Sequence, residues 1–354
     1  MTKIVFLYSE IAGYFLACAE KLAENADVLI IRWPTNTEAP FEFENSNRLK
    51  VITKQSGKTD ELTREILQFS PDLVVCSGWM DKDYLKIVKT LDKKVIRVLS
   101  LDNHWKGTLK QRIAAFVSPF YLKRYFTHAW VPGSKQAEFA NRLGFGKHTI
   151  TGFYCANSPL FENLYHANRA KKEASFPKKF IYVGRYVEHK GIFELWEAFQ
   201  QLQEESPNEW ELWCLGTGQE WEKRIEHPKI KHFGFVQPNR MEPYICESGV
   251  YILPSKFEPW GVSVQEFAIA GFPLLLSDEI GSKELFLEDA SMIMEAGNGF
   301  EFKAGDVKAL KNAMQKMMSL KEETLLKMSE KSHELGMKLT TEQWANTLLS
   351  MIEK

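Results

Sequence analysis

Several things are scarce in this chain. No run approaches the roughly 18 apolar residues that span a bilayer, and the opening "MTKIVFLYSE" holds an apolar stretch too short for a signal-peptide core. The expectation is a cytoplasmic protein whose only membrane contact is peripheral, on the cytoplasmic face of the inner membrane. Charge of one sign is also lacking. Lys and Arg number 45 against 46 Asp and Glu, and the net charge of -1 gives no global reason to expect nucleic acid as a partner. The five cysteines, Cys18, Cys76, Cys155, Cys214 and Cys246, form no pair at metal or redox spacing and read as buried thiols. No Gly-x-Gly-x-x-Gly opens the first βαβ unit, which disfavours a nicotinamide dehydrogenase. No Asp-x-Asp pair or His/Asp cluster calls for a metal, so neither cofactor nor metal is expected. Repeats and low-complexity tracts are absent.

What is present is alternation. At 354 residues, 44% apolar and 26% charged, the chain has globular composition and is long enough for two cores. "KIVFLY", "DVLIIRW", "DLVVC", "KVIRVL" and "HAWV" are short strands apolar on both faces, separated by helical periods. Periodicity fades around "TGFYCANSPLFENLYHANRAKKEASFPKK", the candidate linker. It restarts at "KFIYVG", with a helix over 191–205, "ELWCLG", a helix over 219–225, "KIKHFG", "VYILP", a helix over 263–270 and "PLLLSD". This pattern implies an α/β protein of two tandem Rossmann-like, doubly wound domains facing across a cleft. The expected boundaries are an N-terminal domain over 1–165, a C-terminal domain over 166–335 and a last helix over 336–354. That helix reads as capped by Thr341, with Trp344, Leu348 and Ile352 on one face.

The stretch "LPSKFEPWGVSVQEFAIAG" places Glu258 and Glu266 on either side of a helix entry. Three readings fit. Ser263 to Glu266 matches a capping box; the two carboxylates match an acid/base pair as in glycosidases; or the helix start is an anion site flanked by hydroxyl-binding carboxylates. In the last reading Gly261 lets the backbone approach a ligand. Cations for a diphosphate are found in "FIYVGRYVEHKG", where Arg185 follows Gly184 after a strand and Lys190 precedes a second glycine and a helix.

These segments, with "LWCLGTGQEWEK" and "NGFEFKAGD", follow one another from about Lys179 to Leu320 in the order and spacing of a known family. The second half resembles the retaining, metal-independent glycosyltransferases of family 4, which have the GT-B fold. The resemblance implies that Arg185 and Lys190 hold the diphosphate of a nucleotide-sugar donor and stabilise it as it leaves. It implies that Glu258 faces the donor sugar, that Glu266 receives the ribose hydroxyls, and that amides at Trp260, Gly261, Val262 and Ser263 meet sugar and phosphate. Gly216 belongs to the loop of "LGTGQ", and Phe235 and Val236 lie where the family holds the base. On the first half the resemblance is one of pattern. Gly13, the only glycine of "SEIAGYF", marks an acceptor-side loop, and His104 of "VLSLDNHW" stands where relatives contact the donor sugar, with Ser100 and Asp102 as competing positions. The implied reaction is front-face transfer of a sugar to a hydroxyl of a glycan or lipid-linked acceptor, in polysaccharide or glycoconjugate synthesis. Alternatives are a GT-B sugar-phosphate synthase or phosphorylase, and a non-catalytic nucleotide-sugar-binding protein.

One further stretch stands out. Between Asp102 and Glu138 there is no acidic residue, while Lys106, Lys110, Arg112, Lys123, Arg124 and Lys135 alternate with Trp105, Phe116, Phe120, Tyr121, Tyr125 and Phe126. Residues 105–126 are either a core helix with a solvated basic face or a segment that docks on an anionic membrane. Pro119 is expected to interrupt the helix.

Overall fold

The computed structural model describes residues 1–34, 47–291 and 297–353. The strands that read as apolar on both faces lie inside parallel sheets, where each face is covered by helices and no face is left for polar residues. The first sheet has β1 (Thr2–Tyr8), β2 (Ala26–Arg32), β3 (Leu49–Thr53), β4 (Leu73–Ser77), β5 (Ile96–Ser100), β6 (His128–Trp130) and β7 (Thr149–Ile150), in the order β3-β2-β1-β4-β5-β6-β7. Phe6 is paired with both Ile30 and Val75, which makes β1 an interior strand of the sheet. Side chains alternate about it. Val5 and Leu7 enter one core with Ile66, Tyr84 and Phe126, while Ile4 and Phe6 enter the other with Phe15, Trp130 and Trp344.

The second sheet has β8 (Lys179–Val183), β9 (Glu211–Leu215), β10 (Ile230–Gly234), β11 (Val250–Leu253), β12 (Leu274–Ser277) and β13 (Gly299–Phe302), in the order β10-β9-β8-β11-β12-β13. In both sheets the order reverses beside the first strand, between β1 and β4 and between β8 and β11. Loops at the carboxyl ends of such neighbouring strands diverge and leave room for a ligand.

The chain divides into one unit of Met1–Asn157 with Leu339–Lys354 and another of Ser158–Lys338, where the sequence reading set 165/166 and 335/336. Helix Thr341–Ile352 packs in the first unit against helix Gly13–Ala23, and its Trp344 Nε1 donates to the Phe153 carbonyl at 2.8 Å. Its N-cap is Thr340 and not Thr341: the Thr340 hydroxyl takes the Gln343 amide, and the Gln343 side chain takes the Thr340 amide.

Several sequence expectations are corrected. The candidate linker contains helix Ser158–Ala174, which buries Phe161, Leu164, Tyr165, Asn168 and Lys172; a polar Asn and Lys on the inner face disguise the helical period. Strands β3, β7 and β13 and helix Glu322–Gly336 were not expected, and the helix expected over 219–225 is a single 3-10 turn, Trp221–Lys223. Of the cysteines, Cys246 is only partly buried.

Helix Leu109–Tyr121 continues through Pro119, which sits in its last turn, where few backbone bonds remain to lose. It is not a core helix with a solvated basic face. Ser118 is its only buried residue, whereas Leu109, Ile113, Phe116, Val117 and Phe120 are exposed, Phe116 at 79%. These positions fall on one side of the helix.

Candidate functional site

The second sheet's reversal point is built from backbone that tolerates no side chains. β8 runs into Gly184 and Arg185. The Gly184 amide donates to Leu215, and the Tyr186 amide to Thr217, which lays the β9 loop directly on this segment. A Cβ on Gly216 would lie 1.9 Å from the Gly184 carbonyl oxygen, and one on Gly218 2.5 Å from that of Tyr186. Gly191, at φ +70°, closes the turn after Lys190; a Cβ there would meet the Pro254 carbonyl at 2.1 Å, so the loops after β8 and β11 touch through backbone alone. Gly191 and Gly216 are thus required by contact as well as by φ.

The loop after β11 is pinned in turn. The Glu258 amide donates to Glu279, the Gly281 amide to Glu258, and the Ser282 amide to Trp260. Gly261, at φ +89°, caps helix Val262–Ile269 without a side-chain bond. No capping box forms: the helix starts at Val262, ahead of Ser263, whose hydroxyl accepts from Tyr251 at 2.8 Å. The Val264 amide donates to the Gly261 carbonyl at 3.1 Å, and the positive end of the helix dipole lies at this start.

Lys190 and Glu258 form an ion pair with both side chains largely buried, so residues 68 positions apart in sequence meet at the reversal point. Tyr182 joins them. Its hydroxyl donates to the Arg185 carbonyl at 2.9 Å, and the phenol is close enough to feel Glu258 and the Arg185 guanidinium, although burial is what raises its pKa most. His189, between the two cations, is pushed down by burial and then by Lys190 and Arg185. Glu266, one turn into the helix, keeps part of its side chain exposed, yet its carboxyl is enclosed by protein and burial pushes it up to about 7. A carboxyl held near that value both accepts and donates hydrogen bonds around neutrality.

Of the positions read from sequence, Gly184, Arg185, Lys190, Gly216, Glu258, Gly261, Val262, Ser263 and Glu266 belong to this one edge. Trp260 is 2% exposed and its indole faces Phe286 in the core, so only its backbone is available. Phe235, exposed, and Val236, partly buried, follow β10. Gly13 and His104 lie in the first unit, at the start of helix Gly13–Ala23 and in the loop after β5; the His104 carbonyl accepts from Gln111 at 2.7 Å. Sequence reading passed over Tyr182, His189 and Lys256. Lys256 pairs with Glu194 at 2.6 Å and through its amide with the His189 carbonyl, bracing the two loops. It also passed over Asp81-Lys82-Asp83: both carboxylates are taken by Lys54, and Asp81 caps helix Lys82–Thr90. Among the described residues no group of three His, Cys, Asp or Glu is placed to hold a metal ion.

Two cations, a helix start and two carboxylates are thus gathered on one glycine-lined edge. Residues 166–335, which lie within the second unit, match the family model described as Glycosyl transferases group 1. The 2-deoxystreptamine N-acetyl-D-glucosaminyltransferase of Niallia circulans is 25% identical over 240 residues, which cover 62% of this chain and 59% of that protein. Anabaena HepE, solved in complex with UDP, is 14% identical and superposes with a TM-score of 0.74 over 100% of both chains. The sucrose-phosphate synthase of Thermosynechococcus elongatus is 18% identical, with a TM-score of 0.71 over 100% of this chain and 98% of that one. These likenesses give the chain the fold of two parallel-sheet domains found in GT-B glycosyltransferases.

Proposed function

We propose that the protein is a retaining glycosyltransferase that moves a sugar from a nucleotide-diphosphate donor to a hydroxyl of a glycan or lipid-linked acceptor, without a resident metal. The observation that carries this is the convergence of Arg185, Lys190, Glu258 and the Gly261 helix start at the β8/β11 reversal. Arg185 and Lys190 receive the diphosphate, the helix amides add to them, and Glu258 and Glu266 read sugar and ribose hydroxyls. Negative charge grows on the diphosphate as the sugar departs, and donors fixed before the reaction favour that state over the ground state. Lys190 is held by Glu258 before the ligand arrives, so it is already placed. The acceptor is assigned to the carboxyl edge of the first sheet, with Gly13, and His104 on that sheet is assigned to the donor sugar.

A thermal-shift panel over UDP-, GDP- and ADP-sugars, followed by an assay of transfer and of product anomericity, tests this. A ligand at about 100 times its dissociation constant adds roughly 2.7 kcal/mol. No shift with any nucleotide sugar, or an inverted product, contradicts the proposal.

The helix Leu109–Tyr121 favours a cytoplasmic enzyme that sits peripherally on an anionic membrane. Its exposed apolar side is accompanied by exposed Lys110, Arg112, Lys123 and Arg124, with no carboxylate between Asp102 and Glu138. No helix among the described residues is long and apolar enough to cross a membrane. Co-sedimentation with anionic vesicles, lost on Phe116→Ser with Phe120→Ser and weak with neutral vesicles, is the expected result. Equal and negligible binding to both vesicle types removes the idea.

A further inference from the structure

A second polar cluster lies in the second unit, on the inner face of helix Ser158–Ala174. Lys172 is 4% exposed. Its Nζ donates to the Gly271 carbonyl at 2.8 Å and stands 3.6 Å from the centroid of the Phe272 ring. An ammonium carries three donors, and no carboxylate pairs with this one. The neighbouring carboxylates are engaged elsewhere: Glu173 and Glu330 by Arg169, and Glu323 by Lys327. Burial accordingly pushes the Lys172 pKa down to about 7. One turn back on the same face, Asn168 is 1% exposed. Its Nδ2 donates to the Ile245 carbonyl at 3.2 Å, which orients the amide and leaves Oδ1 without a partner.

Both side chains line a cavity of about 160 Å³ between helix Ser158–Ala174, helix Glu322–Gly336 and the turn at Ala270–Gly271. One wall is preformed, since Tyr165 stacks on His333 at 3.8 Å and lies against Gly271, where a Cβ would come within 2.5 Å of its ring. An unused buried acceptor costs about 1–3 kcal/mol, and a buried cation with no counter-charge is also unfavourable. Packing alone would be better served by Met and Leu at these two positions.

We propose that this cavity binds a small hydroxylated anion, whose carboxylate or phosphate oxygens accept from Lys172 and whose hydroxyl donates to Asn168 Oδ1. The anion supplies the missing counter-charge, and the hydroxyl supplies the missing donor. The cavity floor is the far end of helix Val262–Ile269, which carries the donor site at its start. The two sites therefore lie at opposite ends of an element about 12 Å long.

Calorimetric titration with D-glycerate and with glycerol 3-phosphate, and with glycerol as the uncharged control, tests the site on the full chain. Wild-type protein and the double variant Arg185→Ala with Lys190→Ala are expected to bind the two anions saturably and to ignore glycerol. Lys172→Met, checked for its fold by circular dichroism, is expected to bind them about tenfold more weakly or less. Asn168→Leu serves as the second variant and is expected to weaken binding as well. Unchanged affinity in folded Lys172→Met, or no binding of either anion to wild type, overturns the proposal. Binding that disappears in the Arg185/Lys190 variant overturns it too, because the anions would then be occupying the donor site.

Discussion

The carboxyl edges of the two sheets share one topology and differ in what lines them. At the second, glycine carries the geometry: Gly191, Gly216 and Gly218 let three loops pack backbone against backbone, and fixed charges stand on that frame. At the first, rings carry it. Tyr8 stacks on Phe15 at 4.3 Å, Tyr14 meets Tyr154 edge-on at 5.9 Å, and Tyr154 donates to Asp102 at 3.3 Å. The chemistry follows from the materials. Backbone amides and cations at close range suit phosphate, which asks for positive potential and little shape. Aromatic faces and a carboxylate suit a ligand read by shape and hydroxyls.

The largest expected effect breaks the charged edge. Arg185→Ala or Lys190→Ala is expected to lower transfer by at least 10²–10³-fold, on the scale of one lost transition-state donor; Lys190→Ala also lowers the melting temperature without ligand, because it leaves the largely buried Glu258 without its counter-charge. Turnover close to wild type in either variant would end the assignment. Next, Gly216→Ala strikes the frame. Its Cβ would overlap the Gly184 carbonyl at 1.9 Å in a conformation that L side chains rarely adopt, and a loss of about 2–4 kcal/mol in denaturant unfolding is expected. A neutral result would show that the loop relaxes.

Glu266→Gln gives a smaller, pH-dependent effect. Its folded pKa of about 7 exceeds the ordinary 4.5, so the folded state binds the extra proton between those values, and stability from this group falls as pH rises through them. Below 4.5 both states are protonated and the substitution changes little. Above 7 the native state holds an enclosed carboxylate, and Gln is expected to stabilise by up to about 3 kcal/mol. Equal unfolding free energies for the two proteins at pH 8 would remove the enclosure argument.

The same contrast explains what could be read in advance. Strands such as "KIVFLY" and "VYILP" are legible because a parallel sheet buried on both faces needs continuous apolar runs. The parts of the charged edge were legible because each is local: a glycine with a cation after one strand, and a glycine with two glutamates after another. Which parts meet was not, since Lys190 reaches Glu258 only through the β8/β11 neighbourhood that topology sets. Trp260 was read for its backbone amide alone, and where its indole goes was not legible, because that environment comes from Phe286 and the Ser282 turn. The helix at Ser158–Ala174 was hidden by polar residues on its buried side. Helix Leu109–Tyr121 could be read two ways, as a core helix or as a surface segment, because its apolar period does not say whether the fold covers that side; the fold leaves it outside.

The smallest expected effect sharpens the comparison instead of breaking it. Tyr154→Phe removes one hydroxyl from the first edge, and with it the bond to Asp102. That bond is long at 3.3 Å, and its partner is only partly buried, so water can replace the lost donor. About 1 kcal/mol or less should be lost from stability. If the two edges have separate tasks, the nucleotide-induced thermal shift of Tyr154→Phe matches wild type, whereas Arg185→Ala abolishes it. The informative measurement is therefore the ligand shift of each variant against its own unliganded melting point. A Tyr154→Phe protein that keeps its stability but loses the nucleotide shift would show that aromatic hydroxyls of the first unit hold the donor, and the division between a phosphate edge and a ring-lined edge would fail.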